Sequence, residues 1–158
     1  NNKSRRQKKY KNRLYTKCRT RRKYSLEKTQ RKANVKNRIT IITPPDDIAQ
    51  DGVRILVYGC TKEQTLLISS VIYQLEECKP TIIYVSNGQN DSEWALDKKL
   101  KCSIIVFNAE ADDQTMIGYL TAQTNSYYFG QLRSLDSVNN NRINTEEQLT
   151  TIIGDHIT

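Results

Sequence analysis

Tyr10, Tyr15 and Tyr24 stand inside a dense run of cations, an arrangement suited to gripping nucleic acid. Tyrosine rings can stack on unpaired bases while lysine and arginine side chains take phosphates. The cations that surround them are Arg5, Arg6, Lys8, Lys9, Lys11, Arg13, Lys17, Arg19, Arg21, Arg22 and Lys23, followed by Arg31 and Lys32. Residues 1–38 carry 17 Lys and Arg against the single acid Glu27, a formal charge of +16. Nucleic acid, DNA or RNA, is the partner this composition points to, and the composition does not choose between the two. No helix-turn-helix, zinc-finger or RNP-type pattern is present, so the arm is expected to bind many sequences alike.

A second group of residues falls where a ligand would sit in an α/β domain, beyond the carboxyl ends of the strands. Gly59, Thr61, Asn87, Asn108 and Asp113 mark three such ends and form a candidate ligand crevice. A glycine before a capped helix can seat a phosphate on the helix N-terminus. Neither G-x-G-x-x-G nor G-x-x-x-x-G-K-[ST] occurs, so a tight turn with an ordinary cap is the preferred reading. Glu110, Asp112 and Asp113 could hold Mg²⁺ or exchange protons, but a solvated loop beside a helix start suits them better. The cysteines Cys18, Cys60, Cys78 and Cys102 form no C-x-x-C pair, and His156 is the only histidine and has no visible partner. No zinc site is therefore expected, and no catalytic residue, metal or cofactor is assigned. Three of the cysteines end apolar runs, which fits small buried hydrophobes in a reducing, cytoplasmic compartment.

The elements that would position these residues follow from punctuation and period. Residues 1–38 show neither a 3.6-residue nor a 2-residue apolar period, which predicts a disordered or extended basic arm. Residues 39–52 read as a linker with one short β-branched strand, Ile39–Ile42, and a hinge at Thr43-Pro44-Pro45-Asp46-Asp47. Residues 53–158 read as the domain. Strands are expected at 53–58, 81–85, 102–107 and 126–129. Helices are expected from Thr61 to about Cys78, from Ser92 to about Leu100, from Thr115 to Gln123, and from Thr145 past Ile153. Thr61–Gln64 and Thr145–Gln148 match the T-x-x-Q capping box. Strands apolar on both faces that alternate with helices predict an α/β fold: a small Rossmann-like or flavodoxin-like parallel sheet with helices on both faces.

Residues 39–158 hold eight basic and sixteen acidic side chains, a formal −8. An acidic body on a basic arm suggests that the body docks a protein partner. No apolar run approaches eighteen residues, so no membrane span is expected, and no apolar stretch follows the early cations as a secretory leader would require.

The stretch Ser92-Glu93-Trp94-Ala95-Leu96, Leu100 to Asn108 and Asp113-Gln114-Thr115-Met116-Ile117-Gly118-Tyr119 resembles the nucleoside 2-deoxyribosyltransferase-like group. There a tryptophan-bearing helix leads to a strand, an Asp–Thr loop and a helix with a Gly-Tyr pair. The resemblance covers about residues 92–119 and implies a Rossmann-like scaffold. Met116 and Ile117 occupy the place of that group's nucleophilic glutamate, so a covalent glycosyl ester cannot form there. The Asn- and Lys-rich composition also resembles that of proteins from AT-rich phages. Three functions are therefore expected in order of preference. First comes a nucleic-acid-associated, viral-type binding protein. Second is a structural assembly protein of a virion or ribonucleoprotein whose arm threads between subunits. Third is a nucleotide-processing enzyme.

Overall fold

The computed structural model describes residues 39–47, 51–75, 78–88, 90–133 and 139–158. The arm residues proposed to meet nucleic acid lie outside them.

Five strands form one fully parallel sheet: β1 (Ile39–Ile42), β2 (Val53–Tyr58), β3 (Thr81–Ser86), β4 (Ile104–Asn108) and β5 (Ser126–Phe129). Their order is β1-β3-β2-β4-β5. Among the described residues four helices connect and close it: α1 (Lys62–Gln74), α2 (Ser92–Lys99), α3 (Gln114–Thr121) and α4 (Glu146–Ile157). The chain is thus an α/β protein with a Rossmann-like arrangement. Successive strand residues point to opposite faces, and β2 shows why both faces are covered. Ile55 and Val57 join Ile68, Val71 and Ile72 of α1 and Leu149, Ile153 and Ile157 of α4. Leu56 and Tyr58 join Ala95 of α2 and Met116, Ile117 and Leu120 of α3. All four β2 side chains have no solvent exposure, which accounts for the unbroken apolar run in the sequence.

Both expected capping boxes form. The Thr61 hydroxyl accepts from the Gln64 amide, and the Gln64 side chain accepts from the Thr61 amide. Thr145 and Gln148 repeat the pattern at α4. Two expected boundaries are corrected. Helix α1 stops at Gln74 rather than near Cys78, because Leu75 turns to extended backbone. Strand β4 starts at Ile104 rather than Cys102, because Cys102 closes the turn after α2 by donating its backbone N–H to the Lys99 carbonyl.

β1 pairs with β3 along its full length, from Ile39 opposite Thr81 to Ile42 opposite Tyr84. The short strand expected in the linker therefore belongs to the sheet as an edge strand. The segment after it, expected as a hinge, is tied to α2. Trp94 Nε1 donates to the Asp46 carbonyl at 3.2 Å. Lys98 Nζ lies 2.9 Å from Asp47 and 3.1 Å from Asp97, and 5.8 and 5.7 Å from the Tyr84 and Trp94 ring centres. A lysine stem laid on aromatic faces with its ammonium paired explains how Lys98 is buried at 3% exposure.

Candidate functional site

The sheet reverses its direction of growth at β2: β3 is added on one side and β4 on the other. The crevice beyond β2 and β4 is the place where such sheets commonly take ligands. Gly59, Thr61, Asn108 and Asp113 belong to this edge, and Asn87 follows β3 beside them.

Their side chains and backbone are occupied by the protein itself. Gly59 has φ +67°, in the left-handed region, and a Cβ there would lie 2.8 Å from the Ala111 Cβ. Its amide donates to the Ser86 carbonyl at 2.9 Å. The turn after β2 is thus closed under the loop after β4, and glycine is needed for both conformation and clearance. Thr61 caps α1. Asn108 accepts from the Glu110 amide through Oδ1 at 2.9 Å. Asp113 caps α3 by accepting from the Met116 amide at 3.1 Å, and its other oxygen accepts from Ser92 Oγ at 2.7 Å. The Ser92 hydroxyl, and then the Met116 amide, hold the Asp113 carboxyl below its ordinary value. Asn87 is exposed.

Sequence reasoning did not find the group beneath this edge. Tyr58 donates to the Gly88 carbonyl at 2.8 Å and meets Ser92 Oγ at 3.0 Å. Burial pushes the Tyr58 phenol up, and the bond with Ser92 works against that shift. Tyr58, Ser92 and Asp113 therefore pin the ends of β2 and the starts of α2 and α3 together. A tyrosine closing the apolar run Ile55-Leu56-Val57 was the only signal of this group in the sequence.

The acidic triplet separates. Asp113 is a helix cap, Glu110 accepts from the Gln131 amide at 3.0 Å, and Asp112 is exposed. Among the described residues, no three His, Cys, Asp or Glu side chains come together as a metal site. His156 does have a partner: its Nδ1 is 3.0 Å from the Ile152 carbonyl, one turn back. Met116 and Ile117, which stand where the resemblance would place a nucleophile, are packed in the core at 2% and 3% exposure. Cys60 and Cys102 are free thiols, and burial pushes each up to about 12, far from a reactive thiolate.

An open cleft lies elsewhere, between edge strand β5 and the first turns of α4. It is a groove open to solvent, with a volume of about 440 Å³, lined by Tyr127, Asn140, Asn141, Arg142, Glu147, Gln148, Thr151 and Ile152. Two backbone bonds hold its rim to β5: Tyr128 N–H to the Asn141 carbonyl at 3.0 Å, and Ile143 N–H to the Tyr128 carbonyl at 2.7 Å. The Asn141 side chain adds a bond to the Ser126 carbonyl at 3.0 Å. No family model and no curated protein matches the chain. No helix among the described residues is long and apolar enough to cross a membrane.

Proposed function

We propose that the chain is a nucleic-acid-associated protein whose basic arm contacts phosphates and whose acidic α/β domain docks a protein partner. One observation carries this reading: +16 is concentrated in residues 1–38 while the remainder carries −8. The domain's charge supports the division of labour. Asp46, Glu63, Glu93, Asp112, Glu146 and Asp155 are exposed, whereas Lys98 is buried against its carboxylates. A phosphate chain is repelled by such a surface and attracted by the arm, while a basic patch on a protein fits it.

A salt titration tests the reading. If about eight phosphates are neutralised on duplex DNA, log K falls against log salt with a slope of about −7. Deleting residues 1–38 abolishes the binding. Undiminished affinity in the arm-deleted protein, provided that it remains folded, overturns the reading.

A further inference from the structure

The cleft between β5 and α4 has a lining that the strand-end edge lacks: polar side chains that face solvent, Asn140, Arg142, Glu147 and Gln148 among them, rather than protein partners. The Tyr127 hydroxyl, the Asn140 amide and the Glu147 carboxylate make no hydrogen bond or ion pair among the described residues. Among the described residues the Arg142 side chain makes one hydrogen bond, 3.3 Å from Nη1 to the Gln131 side chain, and no ion pair. Gln148 spends its oxygen on the Asn144 and Thr145 amides, at 2.6 and 3.1 Å, and leaves its NH₂ unused. Ile152 and the Tyr127 ring, both half-buried, supply the apolar part. The volume of about 440 Å³ falls within the usual range for small-molecule sites, about 300–1,000 Å³.

The charges decide what fits. One guanidinium and one carboxylate line the cleft, so the site is neutral overall inside a domain of −8. A polyphosphate gains one cation and meets an acidic surround, which disfavours it. A planar, uncharged ligand with acceptors on one edge and donors on another uses both groups. We infer that this cleft binds a purine base of the guanine type. Arg142 donates to its O6 and N7, Glu147 accepts from its N1–H and amino group, and the ring lies against Tyr127. The phosphate, where there is one, stays in solvent. The base can belong to a free nucleoside or to an unpaired residue of a single strand. The cleft chemistry carries this inference without the arm.

The test is a titration of the isotope-labelled full chain, followed by NMR, at about 0.3 M salt to screen the arm. Guanosine should move the amide signals of Tyr127, Arg142 and Gln148. Uridine, and the Arg142→Gln and Glu147→Gln variants with guanosine, should each bind at least about tenfold more weakly. Guanosine monophosphate should bind no tighter than guanosine. An oligonucleotide with one unpaired dG that moves the same signals shows that a strand is a source of the base; movement by guanosine alone assigns the site to free nucleosides. Unmoved cleft signals with both guanosine and the oligonucleotide overturn the inference. So does equal binding of uridine, tighter binding of the monophosphate, or full binding by both variants. Failure of the arm reading would appear separately, as salt-independent binding or unmoved arm signals.

Discussion

Lys98 and Asp47 form an ion pair of 2.9 Å in which the lysine side chain is 4% exposed and the aspartate 47% exposed. The pair closes the segment after β1 onto α2, with Trp94 bonded to the Asp46 carbonyl beside it. Replacing Lys98 by alanine should cost about 1–3 kcal/mol, because packing on Tyr84 and Trp94 is lost with the charge. Lys98→Met should recover part of that cost, and denaturant unfolding of the two variants measures the difference.

The same pair sets a pH dependence. The hydrogen bond from Lys98 is the largest influence on Asp47 and holds its carboxyl below the ordinary value. A lowered folded-state value means that Asp47 stabilises the fold above the ordinary carboxylate range, near 3.9, and that this contribution disappears as pH falls through the lowered value. Asp47→Asn should therefore be less stable than the parent at neutral pH, and the two should converge in strong acid. A constant difference across the acid range would contradict this account.

Gly59→Ala should destabilise the fold by about 1–3 kcal/mol, from a left-handed backbone and a methyl placed against Ala111. Adding Ala111→Gly removes the contact but leaves the backbone strain. The double variant should then recover only part of the loss. Full recovery would assign the whole effect to the contact, and no recovery to the backbone alone.

Cys60 and Cys102, with thiols raised to about 12, should resist alkylation in the native state at pH 8. At that pH about one in ten thousand of each is thiolate, against roughly a quarter for an unperturbed cysteine near 8.5. Mass mapping after brief treatment should find both unmodified until denaturant unfolds the domain. Rapid native labelling of either would show that its burial is transient.

On the proposed function, replacing Tyr10, Tyr15 and Tyr24 distinguishes two modes of nucleic-acid contact. Their replacement by alanine should weaken single-strand binding by about 1–3 kcal/mol per stacked base and leave duplex binding nearly unchanged. Equal losses on both would mean that the rings do not stack on bases.

Much of the architecture could be read from local pattern. The Val53–Tyr58 strand and the Ser126–Phe129 strand stand where their composition places them, and both T-x-x-Q boxes form. These features depend on neighbours in sequence. The order of strands does not, so the position of Ile39–Ile42 beyond β3 had no signature in its four residues. Topology gave the strand ends that carry Gly59, Asn108 and Asp113, but how the protein itself fills that edge was not legible. Whether Gly59 leaves space depends on Ala111, more than fifty residues away. The cleft beside β5 was hidden for the same reason. Tyr127 and Arg142 meet because backbone bonds from Tyr128 to Asn141 and Ile143 bring their segments together, and nothing in the Asn139-Asn140-Asn141 run announces such bonds.

The parallel course of β1 gives the molecule a polarity. All five strands run the same way, so Ile39 enters the sheet at the edge opposite Gly59, Asn108 and the capped starts of α1 and α3. Residue 39 is the first of the sheet, so the chain before it joins the domain at that edge. The four residues of β1 put about 13 Å of sheet between that point and the strand ends. On the proposed function, a nucleic acid held close to that point meets the sheet at the edge away from Gly59 and Asn108. The proposed function then amounts to a spacer: the sheet's own length would separate a nucleic acid at one edge from a protein partner at the other, and neither would compete with the other for surface.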